Sequence, residues 1–176
     1  MLPNTGESCP EAQSMGVNAL VLSGGDDIGA TPLRDASEIV LLRWTASRDL
    51  PVLGVCRGLQ MLQHYFGGGL DRLDPERHVR ARHPLGWMDR KKEMERREIN
   101  SYHQLSLLPD TLVPELETLA LCPEDGSVKV LRARHLPWLG IIWHPEREAV
   151  PHPEDLKLFR RHSVLRRAPE VAPAAA

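Results

Sequence analysis

Apolar residues along this chain fall into short unbroken runs and longer periodic ones. VNALVLSGG (Val17 to Gly25) and LPVLGVC (Leu50 to Cys56) are unbroken, and each ends at a glycine pair or a cysteine. Too short for helices and apolar at successive positions, they predict strands buried on both faces. TPLRDASEIVLLRWTASRD lies between them and predicts a helix, with Asp35 as N-cap and Glu38 completing a capping box. Ile39, Leu42 and Ala46 then share one helical face. RGLQMLQHYFGGG predicts a second, shorter helix, stopped by its glycines. Strand, helix, strand, helix predicts an α/β fold with a mostly parallel sheet flanked by helices.

Residues 1–16 hold scattered apolar side chains and predict no element. Leu70 to Arg97 is strongly charged, which predicts a path over the surface. RREINSYHQLSLL reads as a short strand and a polar turn. LETLALCPEDGSVKVLRARHLPWLGIIWHPE reads as antiparallel strands joined at Asp125-Gly126, followed by a buried strand from Leu139 to Trp143. PEDLKLFRRHSVL is amphipathic and predicts a last helix. The expected organisation is a single domain over 1–166 and a disordered tail over 167–176, where APEVAPAAA has little to bury.

A content of 41% hydrophobic and 26% charged residues is ordinary for a globular protein. A formal net charge of -2 gives no reason to expect a nucleic acid as partner. No run reaches membrane-span length, and the first residues lack the order of a signal peptide, so a cytoplasmic location is the default expectation. The three cysteines, Cys9, Cys56 and Cys122, are odd in number and lack CxxC spacing, which argues against a disulfide framework and against a zinc site. Cys9 and Cys122 read as incidental thiols.

Cys56 reads differently. GVCRG (Gly54 to Gly58) between a buried strand and a helix is the cysteine form of a nucleophile elbow, a turn too tight for side chains beside the nucleophile. At a helix N-terminus the dipole is expected to lower the thiol pKa, and the Arg57 amide is placed to stabilise an oxyanion. A cysteine nucleophile needs a base and a group that orients it. Of the eight histidines, His144 alone directly follows a buried strand and precedes Pro145-Glu146. A histidine at the C-terminal end of a sheet strand stands where α/β active sites form. Glu146 is then in reach to set its tautomer.

GVCRGLQ together with GIIWHPE resembles the class I glutamine amidotransferase family. LVLSGGDD, RDASE, LPVLGVCRGLQML and INSYHQ resemble its gamma-glutamyl-gamma-aminobutyrate hydrolase branch, over about Val17 to Glu146. The resemblance implies a flavodoxin-like fold, no cofactor and no metal. It implies a triad in which Cys56 attacks a gamma-glutamyl amide carbonyl, His144 moves the proton and Glu146 orients His144. It also implies an oxyanion hole of Gly24, Gly25 and Arg57 amides. Gln60, Asn100, Ser101, Tyr102 and His103 are expected to contact the glutamyl part of the substrate. The product would be glutamate and an amine, released through a glutamyl thioester.

The chain departs from that pattern in three places. The strand and helix that open family members are missing, so the expected sheet lacks its first strand; an inactive, shortened member is one reading. Ile142 stands where many members carry glutamine. The segment after Gly24-Gly25 is short, so the leaving-group side of the pocket is expected to differ. In RHVRARH, Arg80 and Arg82 alternate with other residues and are expected to contact a phosphate, which would suit a phosphorylated or nucleotide-linked amine such as that of gamma-glutamyl-CDP-amidate hydrolases. The partner expected beyond the small-molecule substrate is a second copy of the chain, or a synthetase that receives ammonia from a glutaminase component.

Overall fold

A computed structural model describes residues 8–88 and 97–163. In chain order the first elements are α1 (Ser8–Ser14), β1 (Leu20–Leu22), α2 (Pro32–Ala46), β2 (Val52–Val55) and α3 (Arg57–Tyr65). Then come β3 (Asp71–Arg72), α4 (Pro75–His78), β4 (Val79–Pro84), β5 (Gly86–Trp87), β6 (Glu98–Tyr102) and β7 (Leu105–Ser106). The last are β8 (Leu116–Leu121), β9 (Val128–Ala133), β10 (Trp138–Ile141) and α5 (Pro153–Ser163).

The main sheet is mixed and runs in the order β1-β2-β10-β9-β8-β5. β1 and β10 flank β2 in parallel, with Leu22 and Gly140 both in register with Gly54. The other pairings are antiparallel, and β8 and β9 form the hairpin expected at Asp125-Gly126. Gly126 sits there at φ 73°, a conformation that suits glycine. Every residue of β2 and β10 is buried, as strands covered on both faces require. β1 was expected to be buried on both faces as well, but it is the edge strand and Val21 on its outer face is 48% exposed. Gly140 lets α3 lie close: a Cβ there would stand 2.9 Å from Leu59 Cγ. β4 and β6 form a separate two-stranded sheet, as do β3 and β7.

The structure corrects the sequence expectations in four further places. First, Ser8–Ser14 is helical and Ala12 joins the core, where no element was predicted. Second, α2 starts at Pro32 with Thr31 as its cap, because proline is pre-organised for the first helical position. Asp35 therefore lies inside the helix, and its carboxylate turns to the Gly29 amide and the Arg57 guanidinium. Third, Leu70 to Arg97 does not simply run over the surface, since His78, His83 and Leu85 are buried. Polar residues buried there carry no hydrophobic periodicity to reveal them. Fourth, the last buried strand is Trp138–Ile141, although Ile142 and Trp143 beyond it are also buried. The expected tail over 167–176 and the side chain of Cys9 lie outside the described residues. Among the described residues, no helix is long and apolar enough to cross a membrane.

Candidate active site

Cys56 joins β2 to α3 at φ 50° and ψ -103°, a conformation a non-glycine residue holds only when its surroundings impose it. Its amide donates to the Ile141 carbonyl at 2.7 Å, which pins the turn to β10. The flanking glycines are sterically required. A Cβ at Gly54 would stand 2.5 Å from the backbone of Gly58, and one at Gly58 would stand 2.3 Å from the Leu22 carbonyl oxygen.

The thiol is buried. Burial pushes its pKa up to about 11, against the hydrogen bond from the Arg57 amide, with Glu146 and Asp27 adding to the rise. This reverses the expectation of a lowered pKa, because desolvation outweighs the helix end. The resting group is a thiol, so a nucleophilic role for it would require a base.

His144 follows β10 and is also buried. Its Nδ1 lies 2.6 Å from Glu146 Oε1. A carboxylate oxygen only accepts, so Nδ1 carries the proton and Nε2 is left basic. Asn100 on β6 fixes the backbone of His144 from both sides. It accepts from the His144 amide at 2.8 Å and donates to the His144 carbonyl at 2.8 Å. The Gly24 loop packs against the imidazole, where a Cβ would stand 2.5 Å from Cε1.

A cavity of about 350 Å³ is lined by Cys56 with Gly25, Asp27, Gln60, Val79, Tyr102, His103 and Gln104. Four of the expected substrate or oxyanion residues, Gly25, Gln60, Tyr102 and His103, thus meet Cys56 in one space. Tyr102 also stands edge-on to His144, ring centroids 5.8 Å apart, with the Arg147 guanidinium 4.2 Å above its ring. Gln60 Nε2 donates to the Leu105 carbonyl at 2.7 Å, and His103 Nδ1 meets the same oxygen at 3.1 Å. Burial holds the His103 pKa down at about 3, so the ring is neutral.

Gly24, Arg57, Asn100, Ser101, His144 and Glu146 are not among the cavity residues: Asn100 holds His144, and the Ser101 hydroxyl donates to the His78 carbonyl at 2.7 Å. The arginines expected at a phosphate divide. Arg82 is engaged by Glu148 at 3.0 Å and by the Glu98 carbonyl at 3.1 Å. Arg80 is exposed, at φ 60° in a bulge of β4 that breaks the expected alternation. Asp27, Val79 and Gln104 line the cavity without having been singled out. Asp27 ends the GGDD motif and Gln104 follows NSYH, so adjacency to those motifs was the available signal.

The Arg57 side chain turns away from the cavity into a buried ion cluster with Asp35 and Glu38. Glu38 also accepts from Arg34 Nε at 2.8 Å. Arg34 in turn donates to the carbonyls of Ser23 at 2.8 Å and Gly24 at 3.1 Å. The RDASE segment therefore ties the glycine loop to the elbow. A larger cavity of about 1210 Å³, lined by Trp87, Arg97 and Trp143 among others, contains none of these residues. The smaller one is the better candidate, because Cys56, with its strained backbone, lines it.

The model of the family "glutamine amidotransferase class-I" matches residues 2–164. Over 138 residues the chain is 28% identical to gamma-glutamyl-CDP-amidate hydrolase of Campylobacter jejuni, covering 75% of this chain and 64% of that protein. It is 32% identical to the carbamoyl phosphate synthase small chain of Symbiobacterium thermophilum, covering 90% of this chain and 42% of that one. The chain thus spans less than two thirds of the length of either relative. Among solved structures, a glutamine amidotransferase from Thermotoga maritima superposes with a TM-score of 0.61 at 17% identity, over 82% of this chain and 63% of that one. A protein from Thermoplasma acidophilum assigned to GMP synthase gives 0.71 at 20% identity, over 92% of this chain and 77% of that one. These likenesses establish the fold.

Proposed function

The chain belongs to the class I glutamine amidotransferase family, and we propose that it hydrolyses a gamma-glutamyl amide at Cys56. The observation that carries this reading is Cys56 on a tight turn of strained backbone, lining a cavity shared with Gly25 and Gln60. His144 Nε2 takes the thiol proton as sulfur attacks the amide carbonyl. The oxyanion that forms accepts from the Arg57 amide and from the amides of the Gly24-Gly25 loop. Collapse breaks the carbon–nitrogen bond, and the imidazolium gives its proton to the departing amine. Water, deprotonated by His144, then attacks the thioester. Glutamate leaves and the thiol is restored. Glu146 accepts from Nδ1 and holds the ring.

The gamma-glutamyl-CDP-amidate hydrolase relative supports a phosphorylated or nucleotide-linked amine as leaving group. Of the two arginines considered for that phosphate, Arg80 is the better candidate. The carbamoyl phosphate synthase relative supports a second reading, in which glutamine is the substrate and the ammonia passes to a synthetase. A glutamine analogue carrying a chloroketone tests the shared chemistry. It should add to Cys56, as located by mass spectrometry, and fail to add to Cys56→Ser. A folded wild-type sample without adduct overturns the reading. Hydrolysis rates with glutamine and with a gamma-glutamyl amide of a phosphorylated amine separate the two substrate classes.

A further inference from the structure

Away from the cysteine cavity, the turn between β8 and β9 meets β4 through a second cluster of chemistry-bearing side chains. His83 Nδ1 lies 3.7 Å from Cys122 Sγ and 3.7 Å from Glu124 Oε2. The three donor atoms all lie within 4.8 Å of one another. His83 and Cys122 are buried, at 3% and 0% exposure, whereas the Glu124 side chain is 53% exposed.

Thiol and carboxylate approach the same ring nitrogen. A proton relay would use opposite nitrogens, one to accept and one to donate. The thiol is within sulfur hydrogen-bond range of that nitrogen, whereas the Glu124 oxygen is too far for one. Convergence of thiol and carboxylate on one nitrogen is also the arrangement of ligands around a cation. Zinc bonds of about 2.05 Å to nitrogen or oxygen and about 2.3 Å to sulfur, at tetrahedral angles, place nitrogen about 3.6 Å from sulfur and about 3.4 Å from oxygen. Small side-chain shifts reach those edges from the observed 3.7 Å pair.

We propose that His83 Nδ1, Cys122 Sγ and Glu124 Oε2 bind one zinc ion, with solvent at the fourth position. Thiolate and imidazole select zinc over magnesium or calcium. Binding transfers the Cys122 thiol proton to solvent as the sulfur–zinc bond forms. His78 stacks on His83 with ring centroids 4.6 Å apart, and His78 Nε2 lies 2.9 Å from Asp125 Oδ2. Asp125 thus anchors His78, and His78 packs against one face of the His83 ring. Lys129 is buried without a hydrogen-bond partner for Nζ, and its charge opposes a cation here.

The ion would clasp two sheets together. β4 belongs to the small sheet with β6, and Cys122 and Glu124 belong to the main-sheet hairpin. β6 carries Asn100 and Tyr102, so the clasp steadies the strand that holds His144 and borders the cavity. The cysteine spacing hides this site because its ligands come from two distant segments.

The test uses the full chain with Cys9→Ser and Cys56→Ser, which leaves Cys122 as the only thiol and removes the other candidate thiolate ligands. Titration with cobalt should reach one equivalent, with a thiolate-to-cobalt charge-transfer band and the strong visible bands of tetrahedral cobalt, all bleached by zinc. Absence of the charge-transfer band overturns the proposal without requiring any cluster variant to fold. His83→Ala in that background should weaken cobalt binding by more than about 100-fold. An unchanged affinity in folded His83→Ala overturns it equally.

Discussion

Replacing Glu38 with alanine tests whether the ion cluster under the elbow is a structural necessity. The Arg57 side chain is 2% exposed and is shared between Glu38, 8% exposed, and Asp35, 16% exposed. With Arg34, the cluster holds two positive and two negative charges, so removing one carboxylate leaves a net buried positive charge. Breaking a buried pair from one side costs about 3–5 kcal/mol, and Asp35 remains to partner Arg57, which puts the expectation near the lower figure, about 3 kcal/mol. With a urea m-value of about 2 kcal/mol/M, the unfolding midpoint should fall by about 1.5 M at constant m. Glu38→Gln keeps the shape and removes the charge, so it should fall nearly as far. A shift of about 0.25 M or less, the behaviour of an exposed pair, refutes the reasoning. Because Arg34 leads from Glu38 to the Gly24 carbonyl, Cys56 labelling by the chloroketone should also slow.

Three further outcomes are expected. Gly54→Ala places a Cβ 2.5 Å from the backbone of Gly58, so it should destabilise by about 3 kcal/mol or more in thermal unfolding, whereas Gly69→Ala, with nothing within 4 Å, should be near neutral. The Cys56 pKa is raised in the folded state from 9.0 to about 11, so the native state keeps a proton that the unfolded chain loses. That stabilisation is fully present below pH 9 and is lost as pH rises toward 11, and Cys56→Ser should flatten the fall of stability across that window. Asn100→Ala removes both bonds to the His144 backbone and should lower kcat by about 100-fold with KM little changed, an outcome that an unchanged kcat in steady-state kinetics contradicts.

The apolar run of β2 and the glycines around Cys56 were legible because burial on both faces and a tight turn each leave a local signature. So was the β8–β9 hairpin, through Asp125-Gly126. The run around β1 was read as a strand correctly but its burial was overstated, since β1 is the sheet edge and Val21 is exposed. Asp35 was misplaced because its carboxylate serves a long-range ion pair, and a helix cap and a buried partner look alike in sequence. His78 and His83 looked like surface residues because a buried imidazole has no apolar period. Asn100 was recognised as part of a site, but its target, the backbone of a residue 44 positions away, is set by the pairing of β6 rather than by its own segment.

The buried thiol changes where control of the proposed reaction lies. A thiolate poised by a helix end would react on encounter, and the base would matter only for the leaving group. A thiol held near pKa 11 must instead surrender its proton as substrate arrives, so the position of the imidazole decides the first step. That position has two supports of opposite character. Asn100 fixes the His144 backbone from inside the fold, at 4% exposure, whereas the Glu146 side chain that orients the ring is 59% exposed. Solvent and salt reach the second support far more easily than the first. The placement of the base is thus insulated from the medium, while its tautomer is open to it, and added salt should weaken the Glu146 contact before it disturbs the fold.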